Sequence, residues 1–451
     1  MCTSPDKPVL CIRSCDDPPV YFNLCDTSKL RPGQGEFTVD ADRQKVARVL
    51  RAMIKTKMEA QRSKGNFGLS RLLYIEEPRC LEGLPTPPEE EDHAKLTAVD
   101  RLKRGLGWRD DETEAAWVEA TGLSLLHIAA ARADLDAVNA LLALPDEKAF
   151  LNRAVVDGVA LDGPDASEGM GNMLCTMTAN GMSPLLLALC NGTASAPTVV
   201  DALVAAGADM TATCPMGGNV IWHAACSSTE NLKKCLELCP DSIDVNAICY
   251  EKMTALHLLC RWGDREGMLA KAKLLLDHGA NPSLRKKDIR GGDPLCALAR
   301  NPEADPDVVQ LLIDAGAEPA VQETPHGALR WALRLPITRT LAARLAIKAS
   351  KFMSMNEYIV ERGGGGPLHQ AALRGDARMM RALAQAGVPS NVRHRSTGKL
   401  PVDLLAGASP DKIVPASMTK ILVSPRGGRD EQAALPRWFA SSPQIAPPPI
   451  K

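Results

Sequence analysis

The sequence predicts an all-α protein: a solenoid of helix-turn-helix repeats, joined by β-hairpin-like loops and flanked by partly disordered ends. Three observations predict it. A helix-opening block recurs along the chain, a glycine closes each second helix, and the core composition is rich in small aliphatics and poor in rings. Of 451 residues, 45% are hydrophobic but only 4% are aromatic, which suits thin helices packed closely rather than a barrel or sandwich.

The opening blocks are GLSLLHIAA (122–130), GMSPLLLAL (181–189), GNVIWHAAC (218–226) and KMTALHLLC (252–260). They continue as GGDPLCALA (291–299), PHGALRWAL (325–333), GGGPLHQAA (364–372) and GKLPVDLLA (398–406). The position of His127 recurs as Leu186, His223, His257, Cys296, Arg330, His369 and Asp403, in steps of 59, 37, 34, 39, 34, 39 and 34 residues. A period near 34 marks a repeat array, and the long first step requires an insertion near 145–179.

Each block has a physical reason. Ser124, Ser183, Thr254 and Asp293 place a side-chain oxygen where the free N–H groups of a helix start need an acceptor. Pro184, Pro294 and Pro367 fall in the first turn, where a missing N–H costs nothing. A second apolar stretch follows about ten residues later and ends at Gly207, Gly279, Gly316 or Gly387, where glycine can take the left-handed conformation that closes a helix. No such unit buries its apolar face alone, so neighbours supply the core by stacking.

These blocks resemble the ankyrin repeat, whose signature is a Thr-Pro-Leu-His helix start and a Leu-Leu-x-x-Gly-Ala-Asp helix end. The resemblance spans roughly 120–406 and gives seven repeats and a C-terminal half; it is best at 253–282 and 367–387. It is weakest at 325–350, where Pro336 interrupts the second helix. The resemblance implies that His127, His223, His257 and His369 are structural, tying adjacent hairpins by a hydrogen bond. It also implies that partners bind the concave side, four and five places after each marker and at the hairpin tips. On that basis the expected partner-binding residues are Arg132, Tyr250, Arg261, Trp262, Arg290, Arg300, Arg334, Arg374 and Arg393.

The flanks divide by composition. Residues 1–37 are an irregular Cys- and Pro-containing segment. Residues 38–82 form an amphipathic helical cap, in which Val46, Val49, Leu50, Met53, Ile54 and Met58 recur at helical spacing. Its other face carries Lys45, Arg48, Arg51, Lys55 and Lys57. Such a helix covers the open end of a solenoid; the alternative is a calmodulin target or a membrane-surface helix. Residues 83–94 are a Pro-rich acidic linker, 95–119 a short helical lead into the array at 120–406, and 407–451 a Pro/Gly-rich tail.

The chemistry-bearing residues point away from catalysis. No nucleophile-elbow, zinc-protease or phosphate-loop motif occurs. His223, Cys226, Cys235 and Cys239 have a ligand-like spacing, but the repeat assigns the thiols to helix cores, so no metal and no cofactor is expected. The 14 cysteines lack a disulfide framework, no run of about 20 apolar residues occurs, and the location expected is cytoplasmic, with the nucleus as alternative. The net charge is −1 overall, yet 250–405 carries 23 Lys and Arg against 16 Asp and Glu. The sequence therefore predicts a monomeric scaffold or adaptor, not an enzyme, that binds an acidic or phosphorylated protein segment in a basic groove. Neither nucleic acid nor membrane is expected as a partner. The competing class is a substrate receptor of a ubiquitin ligase, or a host-directed effector.

Overall fold

The fold is a two-row stack of short helices, described from a computed structural model. It describes residues 41–65, 67–85, 96–108, 113–115, 118, 123–154, 181–214, 217–249, 253–263, 265, 267–284, 291–301, 303–323, 365–395 and 398–406. The expectations for 1–37, most of the 83–94 linker, the 325–333 block and the 407–451 tail fall outside these residues.

Three helices precede the array: α1 (Ala41–Ser63), α2 (Phe67–Cys80) and α3 (Ala98–Leu106). The first repeat is α4 (Leu125–Arg132) and α5 (Leu135–Leu142), followed by one turn, α6 (Pro145–Lys148). Next come α7 (Pro184–Cys190) with α8 (Ala196–Ala205), and α9 (Val220–Ala225) with α10 (Thr229–Leu238). They are followed by α11 (Ala255–Trp262) with α12 (Met268–Asp277), and α13 (Pro294–Ala299) with α14 (Asp307–Asp314). The last pair is α15 (Pro367–Arg374) and α16 (Ala377–Gln385), and α17 (Pro401–Ala406) ends the described array. First helices pack in one row, α4–α7–α9–α11–α13–α15–α17; second helices pack in the other, α5–α8–α10–α12–α14–α16.

The local rules hold in detail. Ser124, Ser183, Thr254 and Asp293 each accept from the backbone N–H three residues on. Gly207, Gly279, Gly316 and Gly387 all have φ between 84° and 102°, where a Cβ is strained whatever the surrounding space. One continuous core, rich in Leu, Ala and Val, runs from Ala47 in α1 to Leu404 in α17.

The lead-in helices cover the first repeat: α2 packs on α4, α3 on α5, and α1 on α2. The stripe that α1 buries is Ala47, Leu50, Ile54, Lys57, Met58 and Gln61. Two expectations for this helix need correction. Val49 is 57% exposed, and Lys57 lies on the buried side, because the stripe is centred on Leu50, Ile54 and Met58.

A second departure concerns the repeat order. Helix α13 packs directly on α15, and α14 on α16, although 324–364 separates them in sequence. The Glu323 N–H donates to the Gly365 carbonyl at 3.1 Å. The described stack is therefore six adjacent helix pairs and a terminal helix.

Candidate functional site

Three of the four repeat histidines bond a backbone carbonyl of the loop that follows their repeat, and His223 does not. In α4, Ser124 N–H donates to His127 Nδ1 at 3.3 Å, which leaves the proton on Nε2 to donate to the Arg153 carbonyl at 2.8 Å. His257 repeats this with Thr254 and the Gly292 carbonyl, and His369 with Gly366 and the Lys399 carbonyl. His223 differs because Asn219, not the next residue, caps α9. The ring then falls one place later in the helix and meets Cys190 Sγ at 3.2 Å. Burial lowers the pKa of His127 and of His223 to about 4 and lowers that of His369. These rings stay neutral and structural at physiological pH.

Burial also disfavours the thiolate form of five described cysteines: it raises the pKa of Cys80, Cys235, Cys239, Cys260 and Cys296, whereas the thiolate is the nucleophile and ligand. The ligand-like row His223, Cys226, Cys235 and Cys239 is split, with Cys235 in the main core and Cys226 in a separate cluster. Among the described residues no group of three or more His, Cys, Asp or Glu is placed to hold a metal.

Three of the expected partner-binding arginines are used inside the stack. The Arg132 guanidinium lies 3.6 Å over the Tyr74 ring, donates to the Tyr74 carbonyl and pairs with Glu77 at 3.6 Å. Arg300 is buried and paired with Glu323, itself fully buried. Arg374 donates to the Ala299 carbonyl at 3.4 Å and pairs with Asp376 at 3.3 Å. Arg374 ends a first helix beside a carbonyl of the preceding first helix, Arg300 ends one beside the buried Glu323, and Arg132 faces the lead-in helix α2. Tyr250, Arg290 and Arg334 lie outside the described residues.

Much of the basic charge expected in the groove lies outside the described residues. Segments 285–290 and 324–364, outside the described residues, contain 11 Lys and Arg against 3 Asp and Glu, more than the whole excess of 250–405.

What remains of the expected site is Arg261, Trp262 and Arg393. Trp262, half-buried, packs against a buried cluster separate from the main core: Trp222 of α9, Cys226 at its C-terminal end, Leu258 of α11, and Cys249 and Met253 of the intervening loop. The loop is closed by Cys249 N–H donating to the Met253 carbonyl at 3.1 Å, and its Ile248 is 49% exposed. Arg261 lies 5.5 Å over the Trp262 ring. Beside the cluster, Ala225, Cys226, Leu258, Leu259, Gly263 and Lys271 line a shallow recess. Arg393 is exposed on the last loop, donating to the Gly398 carbonyl at 3.0 Å.

Sequence reasoning missed a ladder of donors between repeats. Asn191 donates to Ala131 O at 2.7 Å, Asn231 to Ala188, Leu189 and Asn191 O at 2.9–3.1 Å, Lys271 to Ser227 O at 2.9 Å, and Asn301 to Gly263 O at 2.5 Å. Arg374 completes it. Each repeat thus satisfies the open carbonyls of the one before. Three of the five donors are asparagines, but Asn191 and Asn301 follow a first helix whereas Asn231 and Lys271 lie in second helices, so no single repeated position announced the ladder.

Residues 251–287, which span α11 and α12, match the ankyrin repeat family model. The array is an ankyrin-type solenoid. No curated protein sequence matches the chain significantly. Among solved structures, the ankyrin repeat domain of Bcl-3, described as a unique member of the IkappaB protein family, is 22% identical. That match covers 70% of this chain and 99% of that one, with a TM-score of 0.40. The human ASB11 ankyrin repeat domain is 19% identical over 68% of this chain and 99% of its own, also with a TM-score of 0.40. No helix among the described residues is long and apolar enough to cross a membrane.

Proposed function

We propose that this ankyrin array is an interaction scaffold that captures a segment of a partner protein on its first-helix row and loops, centred on the half-buried Trp262 and the exposed Ile248. One observation carries the reading: an apolar cluster outside the main core, in which Arg261 lies over the ring of Trp262. Tryptophan and arginine are the side chains that anchor interfaces, and a core that is already continuous elsewhere has no need of this one. The favoured partner segment brings an apolar side chain to Trp262 and an acidic or phosphorylated group to Arg261, with Arg393 as a second cationic contact.

The experiment is affinity capture with the full chain and a double variant, Arg261→Ala/Trp262→Ala, each checked for helical content by circular dichroism. Loss of a defined set of partners by a folded double variant supports the reading. Retention of every partner by that variant overturns it. Arg300 has no place in this variant, because its removal strands a buried carboxylate and unsettles the fold.

A further inference from the structure

Helix α2 does more than close the end of the array. A cap has to cover only the first repeat, yet α2 is bonded to two. On α4 it holds Arg132: the guanidinium lies 3.6 Å over the Tyr74 ring, pairs with Glu77 at 3.6 Å and donates to the Tyr74 carbonyl. That carbonyl is open because Pro78, four residues on, lies inside α2 and has no N–H to give it. At the end of α7 the Cys190 carbonyl accepts from Arg79 at 3.4 Å, and in the loop beyond it the Ala194 N–H donates to Glu82 at 2.9 Å. From Tyr74 to Cys80 a helix advances about 9 Å, close to the roughly 8–10 Å between packed helix axes. Helix α2 therefore lies across the first-helix row.

The residues it covers have counterparts further along. His127, Leu186 and His257 hold the same place in their repeats, so Ala131 and Arg132, Cys190 and Asn191, and Arg261 and Trp262 are equivalent pairs. Helix α2 sits on the first two pairs, and the third lies on the same row, with Trp262 half-buried. The row also selects the form of what lies on it. Carbonyls at the ends of its first helices are already used: Ala131 by Asn191, Ala188 and Leu189 by Asn231, and Ser227 by Lys271. An extended partner binding through its backbone would compete with those donors. A helix satisfies its own backbone and brings side chains, as α2 brings Glu77, Arg79 and Glu82.

Taking the face at Trp262 as the binding surface, we propose that the partner segment captured there is an amphipathic helix. It lies across α9 and α11 as α2 lies across α4 and α7. One apolar side chain rests on Trp262, and a carboxylate within one turn of it meets Arg261. Helix α2 is thus a built-in example of the ligand that the row accepts.

A displayed library of random peptides about 18 residues long, enough for about five helical turns, tests this. It is panned on the full-length chain and counter-selected on the folded Arg261→Ala/Trp262→Ala variant. Expected are peptides that lose about ten-fold or more in affinity on the variant, and again when one carboxylate is changed to its amide. Isotope-labelled and bound, they should show helical Cα chemical shifts over about two turns or more. Peptides that need Arg261 and Trp262 but bind as extended chains overturn the helical occupant and leave the binding face standing. If no enriched peptide responds to the variant, the face itself is wrong and the helix falls with it.

Discussion

The Asn231 side-chain amide donates to the Asn191 carbonyl at 2.9 Å, while the Asn191 amide donates in turn to the Ala131 carbonyl at 2.7 Å. Two consecutive repeats are thus linked by the same act. The later repeat closes the open end of the earlier first helix. Asn231 is fully buried and serves three carbonyls at once. Asn231→Ala leaves buried acceptors without a donor, which costs roughly 1–3 kcal/mol per group. Chemical denaturation is expected to show a loss of at least about 2 kcal/mol. A loss within error of zero would mean that the ladder is incidental to stability.

The neutral histidines set a pH dependence. With a folded pKa of about 4 against an ordinary 6.5, the unfolded chain binds protons more readily between those values. The contribution of His127 and His223 is therefore fully present above 6.5 and is lost as the pH falls toward 4. Each is expected to withdraw about 2 kcal/mol by about pH 5. Glu147 acts in the opposite sense: burial and the adjoining Glu114 hold its carboxyl above the carboxylate range. Its contribution is present at low pH and lost as the pH rises. Comparison of wild type with His127→Gln isolates the histidine: the variant should lose less stability than wild type between about pH 8 and 5. Identical pH profiles would contradict the assignment. An NMR titration showing His127 protonated near pH 6.5 would do the same.

Arg132 joins the lead-in helices to the first repeat, over Tyr74 and beside Glu77. Arg132→Ala removes the stacking and the ion pair together, at a cost of about 1–3 kcal/mol. Proteolysis should then cut first between α1 and α4 while the array from α7 onward resists. Cleavage that begins in the middle of the array would show that the lead-in helices are not held by this residue.

The direct packing of α13 on α15 predicts that the stack does not need 324–364. Replacing 325–363 with a Gly/Ser linker of about eight residues should keep the helical content of the remaining chain. It should also raise the thermal midpoint, because the last helix pair is held at a higher effective concentration. A fall in helical content beyond that of the removed residues would show that this segment supports the array.

These outcomes divide along the line between what neighbours in sequence decide and what neighbours in space decide. Ser124, Thr254 and Asp293 were legible because a cap and its N–H lie three residues apart. Gly207 and Gly279 were legible because a helix ends where its backbone turns left-handed. Arg132, Arg300 and Arg374 looked alike in sequence and free for a partner, but each faces a group contributed by another repeat or by the lead-in helices. Glu323 carried no signal at all: its meaning comes from Arg300, Gly292 and Gly365, which only the folded stack brings together. Trp222 and Trp262 stood 40 residues apart in sequence with nothing but the repeat period to join them, and only Trp262 was anticipated.

A photo-crosslinking amino acid placed in turn at Ile248, at Trp262 and at Lys233 asks directly which row meets a partner. Ile248 is 49% exposed on the loop before α11 and Trp262 is half-buried at the end of that helix, whereas Lys233 lies exposed on the second-helix row. Crosslinked complexes from positions 248 and 262, with none from 233, are the expected result. Crosslinks that form from position 233 and fail at 248 and 262 would place the working surface on the opposite side of the stack and contradict the proposed function.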